Sequence, residues 1–269
     1  MKTILLAGAA ALDPAEDEPR LPNAMVEIGG RPIITRVMDI YSHFGQRDFI
    51  VAAGGRSILL KQFFANYHLM ANDMTVCITS GRVELQPVDD VAWTVSVVDT
   101  GIHATDSCRL RQLRDRIGPG AFMLSYADAL GNVDIDALLA FHRSHGKLAT
   151  VTAVRPPVRT GGLEMRGDRV TAYTRELKTD ESWINGGFFV LEPEVFDYLL
   201  DDAVPLERMP LMQLALDGEL MAYRHSGFWH PLDSQRDRHF LNGCCTGELP
   251  PWLRFDQAGP RLAAVAGRR

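Results

Sequence analysis

Short apolar runs alternate with amphipathic stretches through the first half of the chain, and this alternation restricts the fold more than any other feature. Runs such as Thr3–Leu6 and Asp48–Ala53 are too short for helices and apolar at every position but the first. A strand reads this way when helices cover both faces of a parallel sheet. The helical pattern after each run supplies the cover, so the order is that of repeated strand–helix units.

Strands are expected at Thr3–Leu6, Asp48–Ala53, Thr75–Thr79, Val83–Leu85, Thr94–Val98, Ala121–Ser125 and Ala149–Val154. Helices are expected at Ile33–Phe44, from Gly54-Gly55 to Tyr67, at Arg109–Ile117 and at Ile135–His145. The second half differs. Leu163–Met165 and Arg169–Tyr173, turning at Gly167-Asp168, predict an antiparallel hairpin. Strands follow at Gly187–Leu191 and Glu219–Arg224, the latter the last clear one, with helices at Pro193–Leu200, Glu207–Asp217 and Ser234–Asn242. The class is α/β: a Rossmann-like, mixed and mainly parallel sheet flanked by helices, with a small antiparallel insertion. Residues 1–243 read as a single domain and 244–269 as a partly mobile C-terminal tail, with no packing pattern from Gln257 onward.

The charge balance narrows the partners. A net charge of -6 argues against nucleic acid, whose phosphates need a basic face. No apolar stretch reaches the length of a membrane span, and TILLAG suits a buried first strand better than the core of a signal peptide. Cys77, Cys108, Cys244 and Cys245 form neither a disulfide framework nor a metal-ligand pattern, so a reducing, cytoplasmic setting is expected.

Ligands of an open α/β sheet bind beyond the carboxyl ends of its strands. Four places qualify: the loop after Leu6, Asp99-Thr100-Gly101, Tyr126-Ala127-Asp128, and the segment around Asp233. Asp128, at the end of an apolar strand, suits Mg2+, which takes one or two carboxylates and fills its octahedron with water and phosphate oxygens. Asp233 is a second ligand candidate, or the N-cap of the helix after it. Arg109 opens an arginine-rich helix whose other arginines read as a solvated stripe; its own fork could meet a phosphate. Asn185-Gly186-Gly187 permits close backbone approach to a ligand, or serves a turn that needs positive φ. His225, His230 and His239 lack ligand spacing for zinc.

Several longer segments occur together and in order: MVEIGGRPI, KQFFANY, SVVDTG, FHRSHGKLATVTA, INGGFFVLEP, PLMQLALDGELMAYRHSGFW and PLDSQRD. Over roughly Met1 to Gly243 the chain thereby resembles bacterial glucose-1-phosphate cytidylyltransferases, within the sugar-phosphate nucleotidyltransferases. The resemblance implies a nucleotide-diphospho-sugar transferase fold, Mg2+ on Asp128 and Asp233, and CTP and a sugar 1-phosphate, or their CDP-sugar product, as partners. A homo-oligomer is expected. It further implies nucleotide and sugar contacts from Leu6, Ala7, Gly8, Asp13, Asn23, Thr100, Gly101, Arg109, Asn185 and Gly186, with Asp128 and Arg109 catalytic.

The departures fall on the phosphate-binding positions. Where the family has G-G-x-G-T-R-L, this chain has Gly8-Ala9-Ala10-Ala11-Leu12-Asp13-Pro14, with Asp13 in place of the arginine. A family lysine falls on Asn23, another on Glu176 or Leu177 with Lys178 displaced, and the glycines beside the metal aspartate are Ala127 and Ala129. Each charge-assisted phosphate contact contributes about 1.5–3 kcal/mol, and Arg20 could replace one of them. Three functions are therefore weighed: transfer of CMP from CTP to a sugar 1-phosphate with release of pyrophosphate, a pseudoenzyme that binds a sugar nucleotide or sugar phosphate without turnover, and a repurposed site using Asp13 or Glu16.

Overall fold

The computed structural model describes residues 1–8, 21–86, 91–155, 183–255 and, as backbone, 162–166 and 169–174. Asp13, Glu16, Arg20, Glu176, Leu177, Lys178 and the Gly167-Asp168 turn lie outside the described residues, as does the tail from Asp256.

In chain order the elements are β1 (Lys2–Ala7), β2 (Glu27–Ile28), β3 (Arg31–Pro32), α1 (Ile33–His43), β4 (Asp48–Ala53), α2 (Ser57–Ala65), α3 (Tyr67–Ala71), β5 (Asp73–Cys77), β6 (Arg82–Gln86) and β7 (Thr94–Asp99). Then come α4 (Asp106–Ile117), β8 (Phe122–Tyr126), β9 (Ala129–Gly131), α5 (Ile135–His145), β10 (Ala149–Val154), β11 (Gly162–Arg166), β12 (Arg169–Thr174) and β13 (Ile184–Asn185). The last are β14 (Phe189–Leu191), α6 (Met209–Leu216), β15 (Leu220–Arg224), β16 (Trp229–Pro231) and α7 (Gln235–Gly243).

Eight strands form the main sheet in the order β13-β10-β14-β8-β1-β4-β7, with β15 also paired to β10. The pairs β8–β1, β1–β4 and β4–β7 are parallel, and β14 enters antiparallel to both β8 and β10. The sheet is thus mixed and mainly parallel, as the alternation of runs predicts. Successive residues of β1 feed opposite faces. Leu5 and Ala7 join one core with α1, α5 and Trp252, whereas Ile4 and Leu6 join another with α4 and the 3-10 turn at Pro193–Tyr198.

Several elements differ from expectation. The strands near Thr75 and Val83 do not enter the sheet; β5 and β6 pair with each other in a ribbon exposed along its whole length. The helix toward Tyr67 breaks at Asn66 into α2 and α3. The helix expected at Pro193 is a 3-10 turn, and β15 is not the last strand, because β16 pairs with β9. The hairpin of β11 and β12 is antiparallel as predicted, with a register shift at Glu164/Met165. Packing also continues beyond Gly243: Trp252, on a 3-10 turn at Pro251–Leu253, is fully buried in the core.

Candidate functional site

Three strand ends are laced together at the carboxyl edge of the sheet. Ala127 N donates to Leu6 O at 3.1 Å and Gly54 N to Ala7 O at 3.4 Å, joining the exits of β8, β1 and β4. Gly8 follows, and a β-carbon built there would lie 2.4 Å from the guanidinium carbon of Arg109. Glycine is therefore required for that guanidinium to lie against the chain. Thr100 N and Oγ1 both donate to Ala53 O, and Gly101 N donates to Asp99 Oδ1 at 3.0 Å, so the turn after β7 is closed from within.

Arg109 is 2 % exposed. It sits one turn inside α4 rather than at its first residue, because Thr105 caps the helix by accepting from Cys108 N at 3.2 Å. Its Nη1 donates to Thr100 Oγ1, and its Nε lies 3.8 Å from Asp106 Oδ1. Burial pulls its pKa below the ordinary guanidinium value, with Asp106 opposing. An open cavity of about 310 Å³ begins here, lined by Gly8, Ile102, His103, Thr105, Asp106 and Arg109. Asp106 titrates at about 6, raised first by burial and then by Glu207.

At the exit of β8 the β9–β16 ribbon does the positioning. Its register sets Ala129 opposite Pro231, and Leu232 N then donates to Asp128 O at 2.8 Å. Asp128 and Asp233 thereby become neighbours across a sequence gap that no local pattern reveals. Burial pushes the Asp128 carboxyl up to about 6; Asn23 opposes this, and the charge of Asp233 adds to it. Asn23, itself buried, donates from Nδ2 to Asp128 Oδ2 at 3.4 Å. The N-cap of α7 is Ser234 rather than Asp233. The buried Asp237 carboxylate holds the turn, accepting from Asp233 N at 3.2 Å, from Ser234 Oγ at 2.6 Å, and pairing with His230 at 3.0 Å.

The Asn185-Gly186-Gly187 segment is a bulge between β13 and β14. Five steps from Asn185 to Val190 face three from Ala153 to Thr150 on β10. Gly187 takes φ 76°, and a β-carbon on Gly186 would meet Val154 Cγ1 at 2.5 Å. Asn185 Oδ1 accepts from Gly187 N at 2.9 Å, while its Nδ2 donates to Tyr126 OH at 3.2 Å. Tyr126 OH in turn donates to Glu207 Oε1. Leu6, Ala7, Gly8, Thr100, Gly101 and Arg109 thus gather on one side of the edge, and Asn23, Asp128 and Asp233 on the other, with Asn185 and Gly186 beyond.

Asp106, Glu207 and Asp237 line or support this site and were not singled out in the sequence. Thr105-Asp106, a capping residue followed by an acid, carried the helix-start signal that places Asp106. Nothing local marked Glu207.

Over 257 residues the chain is 40% identical to the glucose-1-phosphate cytidylyltransferase of Salmonella typhimurium, covering 95% of this chain and 100% of the relative. A mannose-1-phosphate guanyltransferase of Gibberella zeae is 22% identical over 91% of this chain and 64% of its own length. Among solved structures, HddC from Yersinia pseudotuberculosis superposes with a TM-score of 0.64 at 14% identity, over 90% of this chain and 98% of that one. The inositol-1-phosphate CTP transferase from T. maritima gives 0.61 at 13%, over 92% and 97%. No protein-family model matches the chain. The likeness to these structures establishes the nucleotide-diphospho-sugar transferase fold.

Proposed function

Because the chain belongs to the glucose-1-phosphate cytidylyltransferase family, we propose that it transfers a nucleotidyl group, CMP from CTP, to a sugar 1-phosphate and releases pyrophosphate. The observation that carries this reading is the pairing of Asp128 with Asp233 at the carboxyl edge, built by the β9–β16 register and held by Asp237.

The two carboxylates suit Mg2+. They offer oxygen donors, and their mutual repulsion in a partly dry site is relieved by a divalent cation. Among the described residues no group of three or more His, Cys, Asp or Glu converges on a metal position, and Mg2+ does not need one when phosphate and water oxygens complete its shell. Bound there, it would neutralise charge on the phosphate oxygens of the reacting nucleotide.

The chain's own residues then act by position. Attack of the sugar phosphate oxygen on the α-phosphorus needs both reactants fixed in line. The laced exits of β1, β4 and β8 give the nucleotide a rigid floor, and the Asn185 bulge offers the sugar a preformed surface. Arg109 supplies a cation at the wall of the cavity after Gly8.

The test is pyrophosphate release from CTP and glucose 1-phosphate with Mg2+, repeated with UTP, dTTP, ATP and GTP. Release that requires the sugar phosphate is expected. No release with any of these nucleotides would overturn the proposal. One observation favours a second reading, a protein that binds a sugar nucleotide without turnover: an amide, Asn23, lies against Asp128 where the family carries a cation. That reading expects CDP-glucose to bind in calorimetry while pyrophosphate release stays at background, and absence of CDP-glucose binding sinks it.

A further inference from the structure

The Asn185 side chain is exposed at the ligand edge, yet its amide is held in one orientation by residues that have no part in the transfer described above. Gly187 N can only donate, so the amide end that meets it at 2.9 Å is Oδ1. Nδ2 then faces Tyr126 OH at 3.2 Å, where the phenol oxygen accepts. The phenol's own proton goes the other way, to Glu207 Oε1. Burial first, and then the charge of Glu207, hold the Tyr126 phenol above its ordinary pKa, so the proton stays on it. A backbone N–H at one end and a carboxylate at the other thus set the direction of every bond in this chain.

Both outer members are fixed by the fold. Tyr126 is the last residue of β8. Glu207 follows Leu206, which is buried in the core under α4, and Thr105 at the start of α4 donates from Oγ1 to Asp202 O at 2.6 Å. The backbone of the Asn185 turn, by contrast, does not depend on the Tyr126 hydroxyl. Gly186 N donates to Thr152 O at 2.9 Å, Thr152 Oγ1 to Phe188 O at 2.8 Å and Trp229 Nε1 to Gly186 O at 2.8 Å. Phe188 adopts φ 48°, a left-handed conformation uncommon outside glycine, and its buried ring stacks on Tyr41. Such strain persists only where the surroundings over-determine it. What Tyr126 and Glu207 add is therefore the rotation of a single amide.

That rotation decides what a ligand meets. A side-chain amide has two N–H groups and two carbonyl lone pairs. One of each is engaged at Asn185, so one N–H and one lone pair remain. A hydroxyl both donates and accepts and can use the two, whereas an ionised carboxylate or phosphate only accepts and leaves the lone pair unmet. An amide locked in advance also spares the ligand the cost of ordering it.

We propose that Tyr126 and Glu207 are positioning residues of the sugar site, which lock the Asn185 amide so that its remaining N–H and lone pair meet hydroxyl groups of a hexose. This rests on the nucleotidyl-transfer reading for the identity of the ligand. It gives that reading a means of recognising the sugar separately from the nucleotide.

The experiment is calorimetric binding of CDP-glucose and of CDP to the full chain with Mg2+, for the wild type, Tyr126→Phe, Glu207→Gln and Glu207→Leu. Tyr126→Phe keeps the ring beside Gly187 and removes only the hydroxyl. It should bind CDP-glucose about 10-fold more weakly, the scale of one lost hydrogen bond, with its affinity for CDP unchanged. Glu207→Leu should behave in the same way. Glu207→Gln keeps an oxygen that accepts from Tyr126 and should recover most of the loss. Undiminished CDP-glucose binding in Tyr126→Phe overturns the proposal, and so does a loss shared equally by CDP, which a disturbed fold would produce. A Glu207→Gln variant as weak as Glu207→Leu overturns the part assigned to Glu207. If the wild type binds CDP-glucose and no variant differs from it, the positioning role alone fails. If the wild type binds no CDP-glucose, the nucleotidyl-transfer reading fails together with it.

Discussion

At the exits of β4 and β7 the charged group Arg109 is absorbed into the fold. It lies against Gly8, donates to Thr100 and has Asp106 beside it. At the exit of β8 the charges are set against each other instead. Asp128 is partly buried beside Asp233, with an amide as its described hydrogen-bond donor, and its carboxyl is held near 6. Both residues are proposed to serve the transfer reaction, yet removal of each should have opposite consequences for stability. A cation that fills a close-packed niche supports the fold. A crowded carboxylate strains it, and strain of this kind concentrates where a ligand is meant to relieve it.

The largest effect that could break this contrast is on activity. Asp128→Asn should lower nucleotidyl transfer by at least about 100-fold, the scale seen when one electrostatic clamp on a reacting phosphate is lost, while its melting temperature stays level or rises. A fall in melting temperature would mean that Asp128 supports the fold and that the contrast is wrong. Arg109→Ala should behave in the reverse sense, costing about 3 kcal/mol in denaturant unfolding, because it empties a buried niche and leaves Asp106 without its cation. An unfolding free energy unchanged within error would show that Arg109 is not structural.

The smallest effect concerns pH. Asp106 has a folded-state pKa of about 6 against an ordinary 3.8, so the folded chain binds its proton more tightly than the unfolded chain does. Its contribution to stability is present below pH 4 and is lost as the pH rises to 6 and beyond. Asp106→Asn should therefore melt higher than the wild type at pH 7.5 and lose that advantage as the pH falls toward 4. A difference independent of pH would mean that burial and the charge of Glu207 do not raise this carboxyl.

How much of this was legible in the sequence depends on the range of the forces involved. The strands β1, β4, β8 and β10 are short, apolar and flanked by turn residues, so their burial could be read locally. The ribbon of β5 and β6 misled, because Val76 and Val83 look like core residues although they lie on an exposed surface. Strand β16 was missed because three residues, one a proline, carry no periodicity. The site divides in the same way. Asp128, Arg109 and Asn185 could be picked out as candidates through their position at the ends of strands or the start of a helix and through resemblance, whereas Glu207 and Asp237 matter only through partners distant in sequence or one helical turn away.

The pairing of β9 with β16 has a consequence for how such a chain can change. Asp128 and Asp233 are brought together by three rungs of a ladder, and the chain between them leaves and returns without disturbing those rungs. Length in that excursion is free, whereas phase within the ladder is not. Loops between α5 and β15 can be exchanged, lengthened or trimmed, and the two carboxylates will still meet. A single residue inserted between Trp229 and Asp233 would turn one of them to the other side of the ribbon. New specificity can therefore accumulate in the excursion while the chemistry stays in register.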